Sequence, residues 1–217
     1  MAILKIYTFP DDVLTQKAVP INRVEKSLYK LADNMLETMY CAPGVGLAAN
    51  QVGILQRILV IDTDFDLIEL EEGELPPKDA EVFGENLVKN KKPQIIINPE
   101  IIQREGEVLF PEGCLSVPEF KAEVKRSEKL KLRYQDIDGV TRTLSAEGLL
   151  AIAIQHEMDH LDGKLFIDRL NPLKKEMARK KLKRQRIELD AQELDLESNL
   201  ELKSISPTSR RKKSKDI

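Results

Sequence analysis

The sequence predicts an α+β fold. Antiparallel β-sheets are packed around a central helix that carries an H-E-x-x-H pattern, and a charged helix follows at the C-terminus. Three observations predict it. Short apolar or alternating runs recur at 57–62, 95–110 and 120–145, as half-buried or buried strands do. Asp138-Gly139 stands between two alternating runs as a hairpin turn. One uninterrupted apolar stretch, Gly-Leu-Leu-Ala-Ile-Ala-Ile from Gly148, leads into His156 and is long enough for a buried helix.

Taken in order, Arg23–Cys41 places Val24, Leu28, Leu31, Met35, Leu36 and Met39 at helical spacing, with Asn22 as N-cap. Residues 42–53, rich in Gly and Ala, read as a loop. Arg57–Asp62 reads as a buried strand, and 95–98 and 100–110 as further strands. Between them, 63–92 turns acidic and contains Pro76-Pro77, which predicts an exposed excursion, by default a solvated loop. In 120–135 the alternation puts Leu130, Leu132 and Tyr134 on one face. Ser145 is placed to cap the central helix and Gly163 to end it. Asn171-Pro172 then opens a last helix, Asn as cap and Pro in the first turn. The predicted organisation is a catalytic domain over 1–173, with 63–92 as an acidic insertion, and a charged helix and tail over 174–217.

The 217 residues, 41% hydrophobic and 33% charged, suffice for one domain with a core and appendages. No apolar run is long enough to cross a bilayer, and the first residues carry no secretory or transit pattern. Two cysteines, Cys41 and Cys114, make no disulfide framework. The expectation is a cytosolic protein with reduced thiols.

The chain has only two histidines, His156 and His160, in His-Glu-Met-Asp-His. Four helical residues turn about 400°, so the two imidazoles project about 40° apart and about 6 Å along the axis, close enough to converge on one ion. Glu157 sits beside the first and can reach a water on that ion. A buried helix does not readily accept His, Glu, Asp and His without partners, which weighs against two ordinary core histidines. An open catalytic site needs a third protein ligand. Glu176 is one candidate, in a highly charged helix. Cys114 is the better one, because a thiolate binds divalent transition metals strongly. Cys41 reads as a small apolar residue at a helix end.

Three segments in order, Gly44-Val45-Gly46-Leu47-Ala48-Ala49-Asn50-Gln51, Glu112-Gly113-Cys114-Leu115-Ser116 and Gln155-His156-Glu157-Met158-Asp159-His160-Leu161, resemble the peptide deformylase family over roughly residues 3–173. The resemblance implies a metallohydrolase that removes the formyl group from N-terminal formyl-methionine of new proteins, releasing formate. It implies Cys114, His156 and His160 as metal ligands and Glu157 as general acid–base. Gln51 and the Leu115 N–H would face the developing oxyanion. The backbone at Val45, Gly46 and Gly113 would pair with substrate, and Val45, Phe110, Leu149, Ile152 and Ala153 would form the methionine pocket. The family is similar in preferring Fe2+, with Zn2+, Ni2+ or Co2+ able to occupy the site. Lys121 stands where many relatives carry Arg, and the two differ in hydrogen-bond geometry.

The C-terminal helix opens with eight Lys or Arg residues between Lys174 and Arg186 against Glu176 alone. An acidic stretch follows through Glu188, Asp190, Glu193, Asp195 and Glu197, and then the basic Arg210–Lys215. A solvated charged helix is one reading. Docking on ribosomal RNA is the other, and the resemblance supports it. The expected partners are formyl-methionyl nascent peptides and the ribosome, with no DNA and no membrane, in a bacterial cytoplasm. Two rivals remain: a zinc peptidase cutting internal bonds, which would not need Cys114, and a non-enzymatic RNA-binding protein with a structural metal.

Overall fold

A computed structural model describes residues 2–71 and 74–205, with side chains to residue 192. Helix α1 spans Lys26–Cys41 and leads to a three-residue strand β1, Gly46–Ala48. Then come β2 (Ile58–Ile61), β3 (Asp66–Ile68), β4 (Glu81–Phe83) and β5 (Asn86–Lys89). The long β6 (Gln94–Glu105) precedes a hairpin of β7 (Val108–Cys114) and β8 (Val117–Arg126), and a second hairpin of β9 (Lys129–Gln135) and β10 (Thr141–Glu147). Helix α2, Gly148–Leu161, follows directly, and α3, Pro172–Ile205, ends the described chain.

All strand pairs are antiparallel. The main sheet runs β1-β2-β6-β9-β10, with a three-stranded sheet β3-β5-β4 and the separate β7-β8 hairpin beside it. The main sheet is covered on both faces near β2. Leu59, Ile61 and Ile96 pack with Ala151 and Ile154 of α2, whereas Ile58, Val60 and Ile97 pack with Leu28, Met35 and Met39 of α1. This double burial explains why β2 reads as a continuous apolar run. Farther out, β9 alternates because its second face meets water: Leu130 and Leu132 are buried while Lys129, Lys131 and Arg133 are exposed. Ala151–Glu157 and Asp159–Leu161 are buried, so α2 lies largely inside the fold. A third cluster joins Phe9, Leu14, Val124 and Phe166 to Ala178 and Leu182, which fastens the first turns of α3 to the body.

Several local expectations are corrected. Helix α1 starts at Lys26 after Glu25, not after Asn22, which lies in a bend. The segment 42–53 is not a bare loop. It holds β1 and a 3-10 turn over Ala49–Val52, because Leu47, Ala48 and Ala49 fit between the two helices. The run 100–110 breaks at Gly106, whose φ of +67° turns the chain into a new strand. Ser145 lies inside β10 and does not cap α2, since the pairing with β9 continues to Glu147. Asn171 does cap α3, its Oδ1 accepting from Lys174 N at 2.9 Å. The Asp138-Gly139 turn is formed, with Asp136 N donating to Val140 O.

The acidic insertion is also more than a solvated loop. It forms the β3-β5-β4 sheet, and Val88 is fully buried. The Tyr40 ring packs edge-on against Phe65 at 5.2 Å and against Phe83 at 4.9 Å. Tyr40 Oη donates to Asp62 Oδ2 at 2.6 Å, and Asn86 Nδ2 donates to the Tyr40 and Cys41 carbonyls at 3.0 and 2.9 Å. Glu72 and Gly73 of this segment, and Arg210–Lys215 of the tail, lie outside the described residues; the Glu193, Asp195 and Glu197 side chains do too.

Replacing Tyr40 with Phe removes a buried donor from Asp62. We expect a loss of about 1–3 kcal/mol in urea unfolding, with faster amide hydrogen exchange across β4 and β5 than elsewhere in the chain.

Candidate metal centre

The site is built where α2, the β7-β8 hairpin and the segment from β1 to Gln51 meet. The helical spacing puts the His156 and His160 rings 5.0 Å apart. The end of β7 brings in Cys114, whose Sγ lies 3.2 Å from His160 Nε2. Among the described residues, these three form the group whose donor atoms all lie within 4.8 Å of one another. Glu176 is elsewhere, exposed on α3 and paired with Lys180 at 2.8 Å.

His156 is oriented by a chain of buried charges, whereas His160 Nδ1 has no hydrogen-bond partner among the described residues. His156 Nδ1 is 2.8 Å from Glu112 Oε2, which leaves Nε2 for the site. Glu112 is held in turn by Arg126, Nε to Oε1 at 2.5 Å and Nη2 to Oε2 at 2.8 Å. Arg126 Nη1 donates to Asp159 Oδ2 at 2.6 Å, and Arg169 grips the same Asp159 through Nε and Nη2. Burial alone would raise the Glu112 and Asp159 carboxyls, but the guanidinium partners hold both below the ordinary carboxylate range. Burial likewise works to lower both histidines. It carries His160 well below its ordinary value, with the neighbouring His156 adding to the effect. His156 instead rises, because Cys114, Glu112 and Glu157 all favour a positive charge there. A neutral imidazole at His160, a sulfur and a second imidazole in a negative environment suit a divalent cation. The donor set therefore fits a resident metal ion.

Glu157 lies between this group and β1. It is buried, and Oε2 has no hydrogen-bond partner among the described residues. Burial pushes its carboxyl up to about 7. A Cβ at Gly46 would lie 2.7 Å from Glu157 Oε1, so glycine is what lets the strand approach the carboxyl. Gln51 is fixed by Ala48 N, which donates to its Oε1 at 2.8 Å. Its Nε2 points to Ser116 Oγ at 3.2 Å and Cys114 Sγ at 3.7 Å.

A cavity of about 640 Å3 opens onto this group. Gln51, Cys114, Leu115, His156 and Glu157 line it, as do Val45, Gly46 and Gly113. The apolar side is Phe110, Leu149, Ile152 and Ala153, and Lys121 lies at the same cavity. His160 stays behind the wall, 1% exposed. The sequence reading missed the supporting partners Glu112, Arg126, Ser116, Asp159 and Arg169. Glu112 and Asp159 stood inside the quoted segments, and a buried acid next to two histidines signals a partner. Nothing local marks Arg126, one cation among many.

A helix presenting two histidines and a glutamate, met by a cysteine and opening on a cleft, defines a metal-dependent hydrolase of the H-E-x-x-H class. Residues 3–176 match the family model for polypeptide deformylase. The chain is 47% identical over 189 residues to peptide deformylase 2 of Xanthomonas axonopodis pv. citri, covering 86% of this chain and 98% of that protein. The crystal structure of a peptide deformylase from Legionella pneumophila superposes with a TM-score of 0.70 at 40% identity, over 88% of this chain and 98% of that one. The peptide deformylase structure from Thermus thermophilus gives 0.67 at 37%, over 84% and 96%. The chain belongs to the polypeptide deformylase family, hydrolases that remove the N-formyl group of nascent peptides in a metal-dependent reaction.

The raised Glu157 carboxyl has a definite sign. Well below pH 4.5 it is protonated in folded and unfolded chains alike and costs nothing. As pH rises the unfolded chain ionises first, so folding is penalised increasingly up to about 7 and constantly above it. In metal-free protein, Glu157→Gln should raise the urea midpoint more at pH 8 than at pH 4.5. A midpoint shift equal at both pH values would contradict the desolvated carboxyl.

Proposed function

We propose that Cys114, His156 and His160 hold one divalent ion and that Glu157 moves the protons of deformylation. The observation that carries this reading is a cysteine-and-two-histidine donor set beside a desolvated carboxyl at the end of an apolar cavity. When bound, the ion supplies a Lewis acid for the formyl oxygen and lowers the pKa of water.

The chain's own groups do the rest. Glu157 accepts the proton of the attacking water and returns it to the amine nitrogen as the C–N bond breaks, so that formate and a free N-terminus leave. A group titrating near neutrality suits both halves of that transfer. The Gln51 Nε2 and the Leu115 N–H donate to the oxygen as it gains charge; losing one such donor should cost about 2.7–4 kcal/mol of barrier. Among the described residues β1 is an edge strand of the main sheet and β7 pairs only with β8, so the backbone at Val45, Gly46 and Gly113 can take the peptide as an added strand. Val45 and Leu149 are 37% and 42% exposed, apolar surface that a methionine side chain would cover together with Phe110, Ile152 and Ala153.

We assign Fe2+ as the native ion, with Zn2+, Ni2+ or Co2+ as substitutes; sulfur and imidazole ligands suit all four. Protein purified without oxygen should contain iron near one equivalent per chain, and lose activity as that iron is lost. Formate release from a formyl-Met peptide tests the reaction. Glu157→Ala should abolish it while metal content stays unchanged, and an unformylated peptide with a cleavable internal bond should survive the wild type. Full turnover by the alanine variant would remove Glu157 from the mechanism.

We place the enzyme in the bacterial cytoplasm with its nascent substrates, a reading supported by its similarity to the deformylases of the bacteria Xanthomonas and Xylella. No helix among the described residues is long and apolar enough to cross a membrane. The basic start of α3 supports docking on ribosomal RNA. Because Ala178 and Leu182 are buried, cutting the chain at residue 174 would open the core, so charge reversal is the cleaner test. Changing exposed Lys174, Lys183 and Arg184 to Glu should weaken ribosome co-sedimentation and leave small-peptide turnover intact.

A further inference from the structure

Helix α2 serves two clefts. Ile152, Ala153, His156 and Glu157 line the cavity of the metal centre, whereas Gln155 lines a separate open cleft of about 920 Å3 that shares no lining residue with it. The walls of this second cleft are cationic. Arg104 comes from β6, Lys125 and Arg126 from β8, Lys164 and Arg169 from the segment after α2, and Lys175 from α3, against the carboxylates of Glu107 and Asp168.

Gathering six cations around one concavity creates a focused positive potential. Four of them are matched within the fold. Lys125 meets Glu107 at 2.5 Å, Lys175 meets Asp168 at 2.9 Å, Arg126 lies between Glu112 and Asp159, and Arg169 grips Asp159. Arg104 and Lys164 have no ion pair among the described residues. Arg104 is nevertheless held in place by neutral groups: its Nη1 donates to Gln155 Oε1 at 2.9 Å, with Ser127 Oγ at 3.4 Å. Gln155 is itself locked, accepting from Ser127 N and donating to the carbonyls of Ser127 and Ala151. Burial first, then the neighbouring charge of Arg169 and, less, of Arg126, hold the Arg104 guanidinium below the ordinary arginine range, with Asp159 opposing them in part. Arg169 spends Nε and Nη2 on Asp159, which leaves Nη1 outside that fork.

We propose that this cleft binds a phosphate-bearing anion, with Arg104, Lys164 and the free edge of Arg169 as its donors. Planar guanidinium forks and an ammonium point charge together match tetrahedral oxygens. The cleft is far larger than a single ion needs and suits several linked phosphates, either a free polyphosphate group or a stretch of nucleic-acid backbone. The cleft shares no lining residue with the cavity of the metal centre, and neither Arg104 nor Lys164 touches the metal donors, so phosphate binding and formate release are read separately.

The test uses the full metal-loaded chain, with tripolyphosphate and a short single-stranded RNA titrated calorimetrically at several salt concentrations. The Arg104→Gln, Lys164→Gln double variant should lose affinity at least about tenfold for whichever binds. For RNA, its slope of log K against log salt should shrink by about 0.7 per phosphate contact removed. Binding of tripolyphosphate alone identifies a free small anion, and binding of RNA identifies a backbone. No binding of either ligand, or binding undiminished in the variant, overturns the proposal; undiminished RNA binding would place the contact elsewhere, as on α3. Arg169 is left intact because it also holds Asp159. Formate release and melting temperature equal to wild type show that the fold is kept. Lys164→Gln alone, at an exposed position, carries the same test with a loss of about threefold or more should the double variant not fold.

Discussion

The candidate metal centre depends on the β7-β8 hairpin being fixed against α2, and the buried Arg126 guanidinium does the fixing. It spans Glu112 on one side and Asp159 on the other, so one cation joins the strand that delivers Cys114 to the helix that delivers both histidines. Removing water from such a cluster is costly, and only the complete set of hydrogen bonds makes it tolerable. The gain is positional. Glu112 orients His156, so the same contacts that seat the hairpin also aim that imidazole.

The opposite wall of the cavity is set by close backbone approach. Gly46 passes so near Glu157 that a side chain there would collide with the carboxyl. Ala48 N fixes Gln51, whose amide then reaches the sulfur of Cys114. The acidic insertion reaches this wall indirectly. Asn86 ties it to the C-terminal carbonyls of α1, and Asp62 binds both Tyr40 and the Lys92 N–H while its own N–H donates to Val45 O. A segment that looks like surface decoration thus braces the strand beside Cys114, His156 and His160.

Electrostatically, α2 divides the molecule. Toward the cavity, burial strips water from Glu157 and leaves it near neutrality. Toward the second cleft, Gln155 is surrounded by guanidinium and ammonium groups. One helix can serve both because successive residues point to different sides, and Gln155, His156 and Glu157 are consecutive.

Much of this is legible in the chain itself. Helical spacing is local, so His156, Glu157 and His160 can be placed on one turn from their order alone, and the alternation of Leu130, Leu132 and Tyr134 names the inner face of β9. Local capping is less secure: Asn171 caps α3, but Ser145 and Asn22 do not cap their helices, because strand pairing and packing override a cap preference. Covalent order and side-chain type are enough to say which residues carry the chemistry and what period each element has. Three-dimensional packing was needed to bring Cys114 to His160, to choose Arg126 over every other cation as the partner of Glu112, and to seat Arg104 and Lys164 in one cleft. Cys114 and His160 are 46 residues apart, and Arg126 and Lys164 have no distinguishing neighbours in sequence. Their meetings depend on how the sheet and α2 pack, which no local rule encodes.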